Sequence, residues 1–536
     1  MNPFTKIGGQ IYRAGLRSVQ VLTLCLLGML TVCSLLWGYY AEEMETQASI
    51  AHNEPFLLYL PCMLILILPP ALLLRFLHTH NTRMELKKQC FLGIALCWIC
   101  IWGIFLILFG RSIPFADSSS VFSIAEALAL GHTQVIHPTD SYLSYYPQQI
   151  GLIAFYEIIL RIWNLFGITY SASYIIQCVN VGMACLIVYF QYGITGLLSH
   201  DSDGACISYI YLVMLNAPLI VYTSFVYGEI PSFAFLSGGL WLMLKYLKHN
   251  GVSGKKGYLQ MAGCLMMLTT AVALRKNSLI VIIAAVLVFL WEWLISHRHR
   301  LLLFGILLAL CSVTALPGIQ HIYQRRAGNT LSSGVPAISY IAMGMQESSR
   351  GNGWYNGFNF YTYQDSHLDT AVTAAKSKEA ISTSLAAFRA DPGYAFRFYR
   401  DKFLSQWTDG SYFCRQATYT HTNARREIVE SLYSGKLSKP FIHYCNIYQL
   451  LVYACSFLCL LSQWRHRRTN GVRLPFYTGV IAVLGGFLFH MMWEANSRYI
   501  LPYFLLLLPY AASGLGTGTE RAIRKGEFYE NTCQKH

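Results

Sequence analysis

Gln149-Ile-Gly-Leu-Ile-Ala-Phe-Tyr-Glu157-Ile-Ile-Leu-Arg161-Ile-Trp-Asn164-Leu-Phe-Gly167 is apolar enough to pass for a membrane span, and whether it crosses decides the topology of the chain. Glu157, Arg161 and Asn164 recur at helical spacing on one face, and Glu157–Arg161 is a favourable i,i+4 pair. Ile150, Ile153, Ile158, Ile162 and Phe166 supply apolar surface. A charged stripe on an apolar helix predicts a helix lying along the membrane interface. The competing reading is a true span with a buried ion pair.

The flanking spans decide between them. Stretches long enough to cross fall at 18–40, 56–77, 89–110, 173–197, 206–226, 230–247, 258–274, 278–295, 301–320, 443–463, 475–493 and 498–516. Basic connections at Arg75–Lys88, Lys245–Lys256, His297–Arg300, Arg465–Arg473 and Arg521–Lys525 predict cytoplasmic loops, and the acidic loop Glu42–Glu54 an outer one. Counting forward from Arg75–Lys88 puts residue 111 outside. Counting back from Lys245–Lys256 puts residue 172 outside as well. The stretch 149–167 therefore does not cross, which leaves about twelve spans with both termini cytoplasmic.

Composition agrees with lipid as the solvent. The 536 residues are 54% hydrophobic and 12% charged, where soluble domains run near a quarter charged. The net charge of +14 is accounted for by the cytoplasmic connections, which argues against a nucleic-acid partner. Most of the sixteen cysteines fall inside apolar spans and read as small buried hydrophobes. Cys414 stands alone in the large loop, and no disulfide framework or metal pattern emerges. Lys6, Arg13 and Arg17 before the 18–40 run predict an uncleaved signal anchor in the cytoplasmic (inner) membrane.

Four regions follow. Residues 1–88 are a two-span extension. Residues 89–320 are a transmembrane core with a first outer loop at 111–172. Residues 321–442 form a small, mainly helical extracytoplasmic domain with aromatic-rich turns around Trp354 and Tyr355. Residues 443–536 carry the last spans and a cytoplasmic tail. The fold class is an all-α polytopic membrane protein.

The parity count gathers Asp117, Glu229, Arg275, Lys276, Glu494, Asn496 and Arg498 at the outer ends of spans. Ionisable residues at a membrane edge are costly and mark function. After Asp117 the pattern Val121, Ile124, Ala125, Leu128 predicts a short amphipathic helix over 121–130, capped from Ser118–Ser120. Tyr145-Tyr146-Pro147 then leads into the interfacial stretch. His297-Arg-His-Arg300 reads as a basic loop, His490 as packing, and Ser513–Thr519 lacks the lysine of a phosphate loop.

This arrangement resembles the GT-C glycosyltransferases, in particular the protein O-mannosyltransferase (family 39) group and the aminoarabinose transferases acting on lipid A. The resemblance rests on Asp117 past a span, the helix 121–130, and Tyr146-Pro147 into 149–167. Downstream it rests on Tyr227-Gly-Glu229-Ile-Pro231, Leu274-Arg275-Lys276-Asn277 and Glu494-Ala-Asn-Ser-Arg498-Tyr499. It implies a GT-C helical bundle and transfer of a hexose-type sugar from a polyprenyl-phosphate donor at the outer face, with inversion. Asp117 would be the base. Arg275, Lys276 and Arg498 would bind the donor phosphate. Glu229, Tyr227, Glu494, Tyr499 and Tyr146 would contact substrate. The partners implied are the lipid-linked sugar and membrane lipids; the acceptor stays open between protein, wall polymer and glycolipid. The resemblance implies no certain cofactor, with a divalent metal left open. Ser118 stands where many relatives carry a second acidic residue, which puts a divalent metal in doubt. A lipid-linked sugar flippase or transporter and a surface polysaccharide polymerase or ligase are the alternative functions.

The topology is tested by Tyr170→Cys. An outside, membrane-impermeant thiol reagent is expected to label it in intact cells, and protection would overturn the parity count.

Overall fold

The computed structural model describes residues 3–41, 44, 48–53, 55–79, 84–139, 141–167, 172–248, 254–420, 425–470 and 474–533. Asp140, Tyr170, most of the acidic loop (Glu42, Glu43, Glu45, Glu54) and the centres of the basic connections at 80–83, 249–253 and 471–473 lie outside the described residues, as do the side chains of Arg521–Lys525. The chain is an all-α polytopic membrane protein. Eleven described helices are long and apolar enough to cross a bilayer.

The predicted span 206–226 is not one helix. It divides into Asp203–Met214 and Ala217–Tyr222. Pro218 has no amide hydrogen to donate and disfavours helical geometry in the residue before it. Asn216 ends up at the break, where its side chain accepts from Leu219 N at 3.1 Å. Asp203 pairs with Lys88 at 2.8 Å at one end, and the residues after Tyr222 reach the Glu229 turn at the other.

The stretch around Glu157 forms a helix of 15 residues, Ile150–Asn164. At 1.5 Å per residue this is about 22 Å, short of the ~30 Å hydrocarbon core. Its Glu157 is buried and does more than meet Arg161. It accepts from Arg161 at 2.7 Å, Tyr323 at 2.5 Å and Arg326 at 2.5 Å. Arg161 and Arg326 also donate to Leu128 O, at 2.8 and 3.0 Å. One carboxylate thus joins this helix to the His299–Ala327 helix, and its two arginines reach on to the helix that begins at Asp117.

That helix runs Asp117–Ala129, four residues longer at its start than the periodicity predicts. Ser118–Ser120 do not cap it, because they already lie in its first turn. Ser118 instead accepts from Phe115 N at 2.9 Å and donates to Phe115 O at 2.8 Å.

The segment 321–442 divides in two. Met345, Phe388 and Phe398 make a small core of their own. Residues 402–418 are buried throughout and join the main core of the bundle through Phe403, Leu404, Trp407, Tyr412 and Cys414. A two-stranded hairpin, Trp37–Tyr40 with Ile50–Asn53, packs against the Pro392–Trp407 helix. Two short strands in an otherwise helical protein are the one departure from the all-α expectation.

The Ile150–Asn164 helix rests against the end of the Lys255–Leu274 helix at Gly151, where an added Cβ would lie 2.0 Å from Ala273 O. Gly151→Val is expected to lower stability by roughly 1–3 kcal/mol, read as a lower thermal midpoint in detergent. An unchanged midpoint would refute the close approach.

Candidate functional site

Asp117 opens its helix from a strained turn. Ala116, before it, has φ +49°, a conformation that costs a residue with a Cβ about 1 kcal/mol or more. The turn aims the carboxylate into a recess between helix ends. Asp117 is exposed to solvent by surface area, although Tyr142, Arg498, Arg275 and Glu229 stand close enough to act on its charge. This partial enclosure pushes the Asp117 carboxyl above the usual carboxylate range. Arg498, Tyr142 and Arg275 oppose the push, and Glu229 adds to it. The phenols of Tyr142 and Tyr146 are raised by the same enclosure and stay neutral at physiological pH.

Glu229 is the hub of the recess. It is the first residue of the Glu229–Lys248 helix. The turn before it is held from three sides. Gln177 donates to Ser224 O at 3.1 Å and to Ser112 O at 2.8 Å. Asn180 donates to Phe225 O at 2.9 Å. From the Ile150–Asn164 helix, Tyr156 donates to Tyr227 O at 3.0 Å, and Gln149, just before it, to the Tyr227 hydroxyl at 2.6 Å. Arg275 reaches Glu229 Oε1 at 2.5 Å from the junction after Leu274, and Arg498 Nε lies 3.3 Å from the same oxygen. Neither contact is aligned as a directed hydrogen bond, and Arg498 Nε and both Glu229 oxygens keep bonding capacity. The rings of Tyr227 and Tyr499 flank both guanidiniums at 5.5–5.7 Å.

Arg498 is fixed by its own turn. Asn496 accepts from Arg498 N at 2.9 Å, and Ser497 donates to Asp409 at 2.6 Å. Asp409 also accepts from Ser411 N at 3.0 Å and Phe413 N at 3.1 Å, so the buried 402–418 segment holds the arginine turn in place.

A narrow cleft runs on from Arg275 and Glu229. It is small, with a cavity volume of about 20 Å³, and is walled by Phe233, Leu236, Val281 and Pro502, with Ser232, Asn277 and Tyr503 as polar points.

Glu494 lies beside this group. It accepts from Tyr499 at 3.4 Å, and burial pushes its carboxyl up to about 7, with Arg498 opposing and Asp117 adding to the rise. Lys402, buried nearby, donates to Gly344 O and is pushed down to about 7 by burial.

The structure thus brings Asp117, Glu229, Arg275, Arg498, Tyr227, Tyr499, Glu494 and Tyr146 around one recess. Lys276, next to Arg275, is exposed at the rim, with no ion pair recorded among the described residues. Trp354 and Trp407 are buried core rather than recess wall, whereas Tyr355 faces it. His490, read from the sequence as a packing or hydrogen-bonding residue, stacks on Tyr499 with centroids 5.7 Å apart, and its two ring nitrogens are buried without a hydrogen-bond partner among the described residues. Tyr142, Lys402 and Asp409 were not foreseen. Nothing in their local sequence separates them from ordinary helix and loop residues. No described group of three or more His, Cys, Asp or Glu side chains gathers to hold a metal ion, and both guanidiniums already crowd Glu229.

No protein-family model matches the chain, and no curated protein sequence matches it. Among solved structures it is similar to the archaeal oligosaccharyltransferase AglB from Archaeoglobus fulgidus, solved with an inhibitory peptide and a dolichol-phosphate. The identity there is 13% over 84% of this chain and 52% of that one, with a TM-score of 0.42. The apo oligosaccharyltransferase of the same organism gives 12% identity over 83% and 51%, with a TM-score of 0.45. ArnT from Cupriavidus metallidurans, bound to undecaprenyl phosphate, gives 14% over 80% and 77%, with a TM-score of 0.33. The chain spans about half the length of the two oligosaccharyltransferases. Likeness at this level assigns neither substrate nor activity to this chain.

Glu494 yields a pH test. Its folded-state pKa lies above the ordinary 4.5, so the folded protein holds the proton more tightly than the unfolded chain. Stability therefore falls as pH rises from about 4.5 to about 7. Glu494→Gln is expected to remove that part of the slope, on the order of 2–3 kcal/mol, in thermal unfolding followed across the same range. An identical slope in the variant would refute the burial of this carboxyl.

Proposed function

We propose that the chain is a GT-C-type membrane glycosyltransferase that moves a hexose-type sugar from a polyprenyl-phosphate donor to an acceptor hydroxyl at the extracytoplasmic face. The observation that carries this reading is the recess itself. A solvent-accessible carboxylate, Asp117, faces two arginines that share one glutamate at the head of an apolar cleft. The two guanidiniums face the Glu229 and Asp117 carboxylates, and the bonding capacity that Arg498 Nε keeps is available to a phosphodiester. Arg275 and Arg498 suit phosphate because their planar forks donate two bonds at once. Lys276, at the rim, adds a point charge. The walls Phe233, Leu236, Val281 and Pro502 suit the start of the hydrocarbon tail.

In the reaction the acceptor oxygen attacks the anomeric carbon, and the bond from that carbon to the phosphate oxygen breaks. The electron pair leaves with the polyprenyl phosphate, which gains a second negative charge. Arg275 and Arg498 stabilise that charge as it develops. Asp117 takes the acceptor proton, and its raised pKa makes it a better base near neutral pH than an ordinary aspartate. Attack opposite the leaving group inverts the anomeric centre. Glu494, Tyr227, Tyr499 and Tyr146 line the space where sugar hydroxyls would lie. The basic connections at the far end of the bundle support an outward-facing recess, with residues 321–442 on the outer side and both termini cytoplasmic.

Asp117→Asn is isosteric and keeps the fold. It is expected to lower turnover of a polyprenyl-phosphate hexose by about 10²-fold or more, with an unchanged thermal midpoint. Full turnover in a folded Asp117→Asn protein would remove Asp117 from the chemistry, and a transporter would show no such dependence.

A further inference from the structure

The recess has two flanks of different character. The cleft below Glu229 and Arg275 is apolar-walled. The opposite flank, beyond Asp117, is built of aromatic rings on rigid supports. Tyr146 borders Asp117 and Tyr355. Its neighbour Tyr145 stacks on Phe360 at 4.8 Å with planes 19° apart. Trp493, next to Glu494, stacks on Tyr340 at 5.0 Å and 6°. Tyr355 is 37% exposed; one face of its ring carries the Arg350 guanidinium at 5.6 Å, and its hydroxyl lies close enough to Glu494 and Asp117 to feel both charges.

This flank is held still. The Tyr355 loop turns through Gly351, Gly353 and Gly357, at φ +138°, +74° and +82°. Ala495 N donates to Gly353 O at 2.8 Å, which forms a short bridge between Trp354 and the Glu494 turn. Ser49 N donates to Arg350 O at 2.8 Å, which ties the same loop to the N-terminal hairpin. Rigid tyrosines offer amphipathic contact area at little entropic cost on binding. Flat ring faces beside carboxylates are the chemistry of a pyranose site: the C–H face of the sugar covers a ring, and its hydroxyls donate to Asp117 and Glu494.

We infer that the acceptor is itself a carbohydrate, bound through a pyranose ring stacked on Tyr355 between Tyr146 and the Glu494 turn, with the attacking hydroxyl at Asp117. This assignment rests on the transferase reading above and narrows its acceptor to a glycan, whether free or carried on a larger molecule.

The test separates binding from turnover. Saturation-transfer NMR is recorded on the full chain in nanodiscs with maltohexaose, mannohexaose, a galactose hexasaccharide and a Ser/Thr-containing peptide as probes. At least one oligosaccharide is expected to bind the native protein, to weaken about tenfold with Tyr355→Ala and to recover with Tyr355→Phe. Binding of the peptide alone, binding of no oligosaccharide, or undiminished binding to Tyr355→Ala would overturn the inference. Turnover of undecaprenyl-phosphate hexoses is measured on the same preparations. Donor turnover without oligosaccharide binding would sink the glycan acceptor and leave the transferase standing. Oligosaccharide binding without any donor turnover would uphold the stacking site and sink the transferase.

Discussion

Everything at the working end of this protein depends on one buried carboxylate shared by two arginines. Glu229 sits at a helix start, Arg275 at a junction between two helices, and Arg498 at the entry to the last one. No one of the three is cheap to hold at a membrane edge by itself. Together they offset one another's desolvation, and removing one partner would strand the others at a cost of about 3–5 kcal/mol. The same grouping sets the field at Asp117, because the two guanidiniums that answer Glu229 also face the aspartate. Structural cohesion and chemical potential are here the same set of charges.

A second carboxylate plays the matching role one layer out. Glu157 joins Arg161, Tyr323 and Arg326, and those arginines reach the last turn of the helix that starts at Asp117. The position of Asp117 is therefore fixed at both ends of its helix, by the strained Ala116 turn at the front and by the Glu157 arginines at the back. Gln149 and Tyr156, at the start of the Ile150–Asn164 helix, grip the Tyr227 turn. This helix thus aligns the aspartate with the arginine pair.

Much of this was legible in the sequence, and the physical reasons are specific. Long apolar runs and basic connections are strong, local signals, so the helical spans and the gathering of Asp117, Glu229, Arg275 and Arg498 at one end followed from counting. The 15-residue length of the Ile150–Asn164 helix agrees with the parity argument that kept it from crossing. The break at Asn216 was also written in the chain, at Pro218, but apolar composition on both sides concealed it. Less was readable where tertiary packing decides. Nothing local marks 402–418 as buried, since its Lys402, Asp409 and Arg415 read as surface residues. Nothing local puts Tyr142 against Asp117 or seats the N-terminal hairpin under the Arg350 loop. These depend on partners beyond the local window, from Asp117 for Tyr142 to Ser49 for the Arg350 loop.

The link between Ser497 and Asp409 has a consequence for biosynthesis. Chains are made and inserted from the N-terminus. Asp117, Glu229 and Arg275 therefore enter the membrane long before Arg498 exists. Until then Glu229 has a single arginine against it, and the 402–418 segment has no arginine turn to grip. The final helix, entering last, completes both the charge balance of the recess and the core around Trp407 and Tyr503. An incomplete chain thus carries the Glu229 carboxylate and one of its two arginines but no closed recess, and the recess cannot form before synthesis reaches the last span.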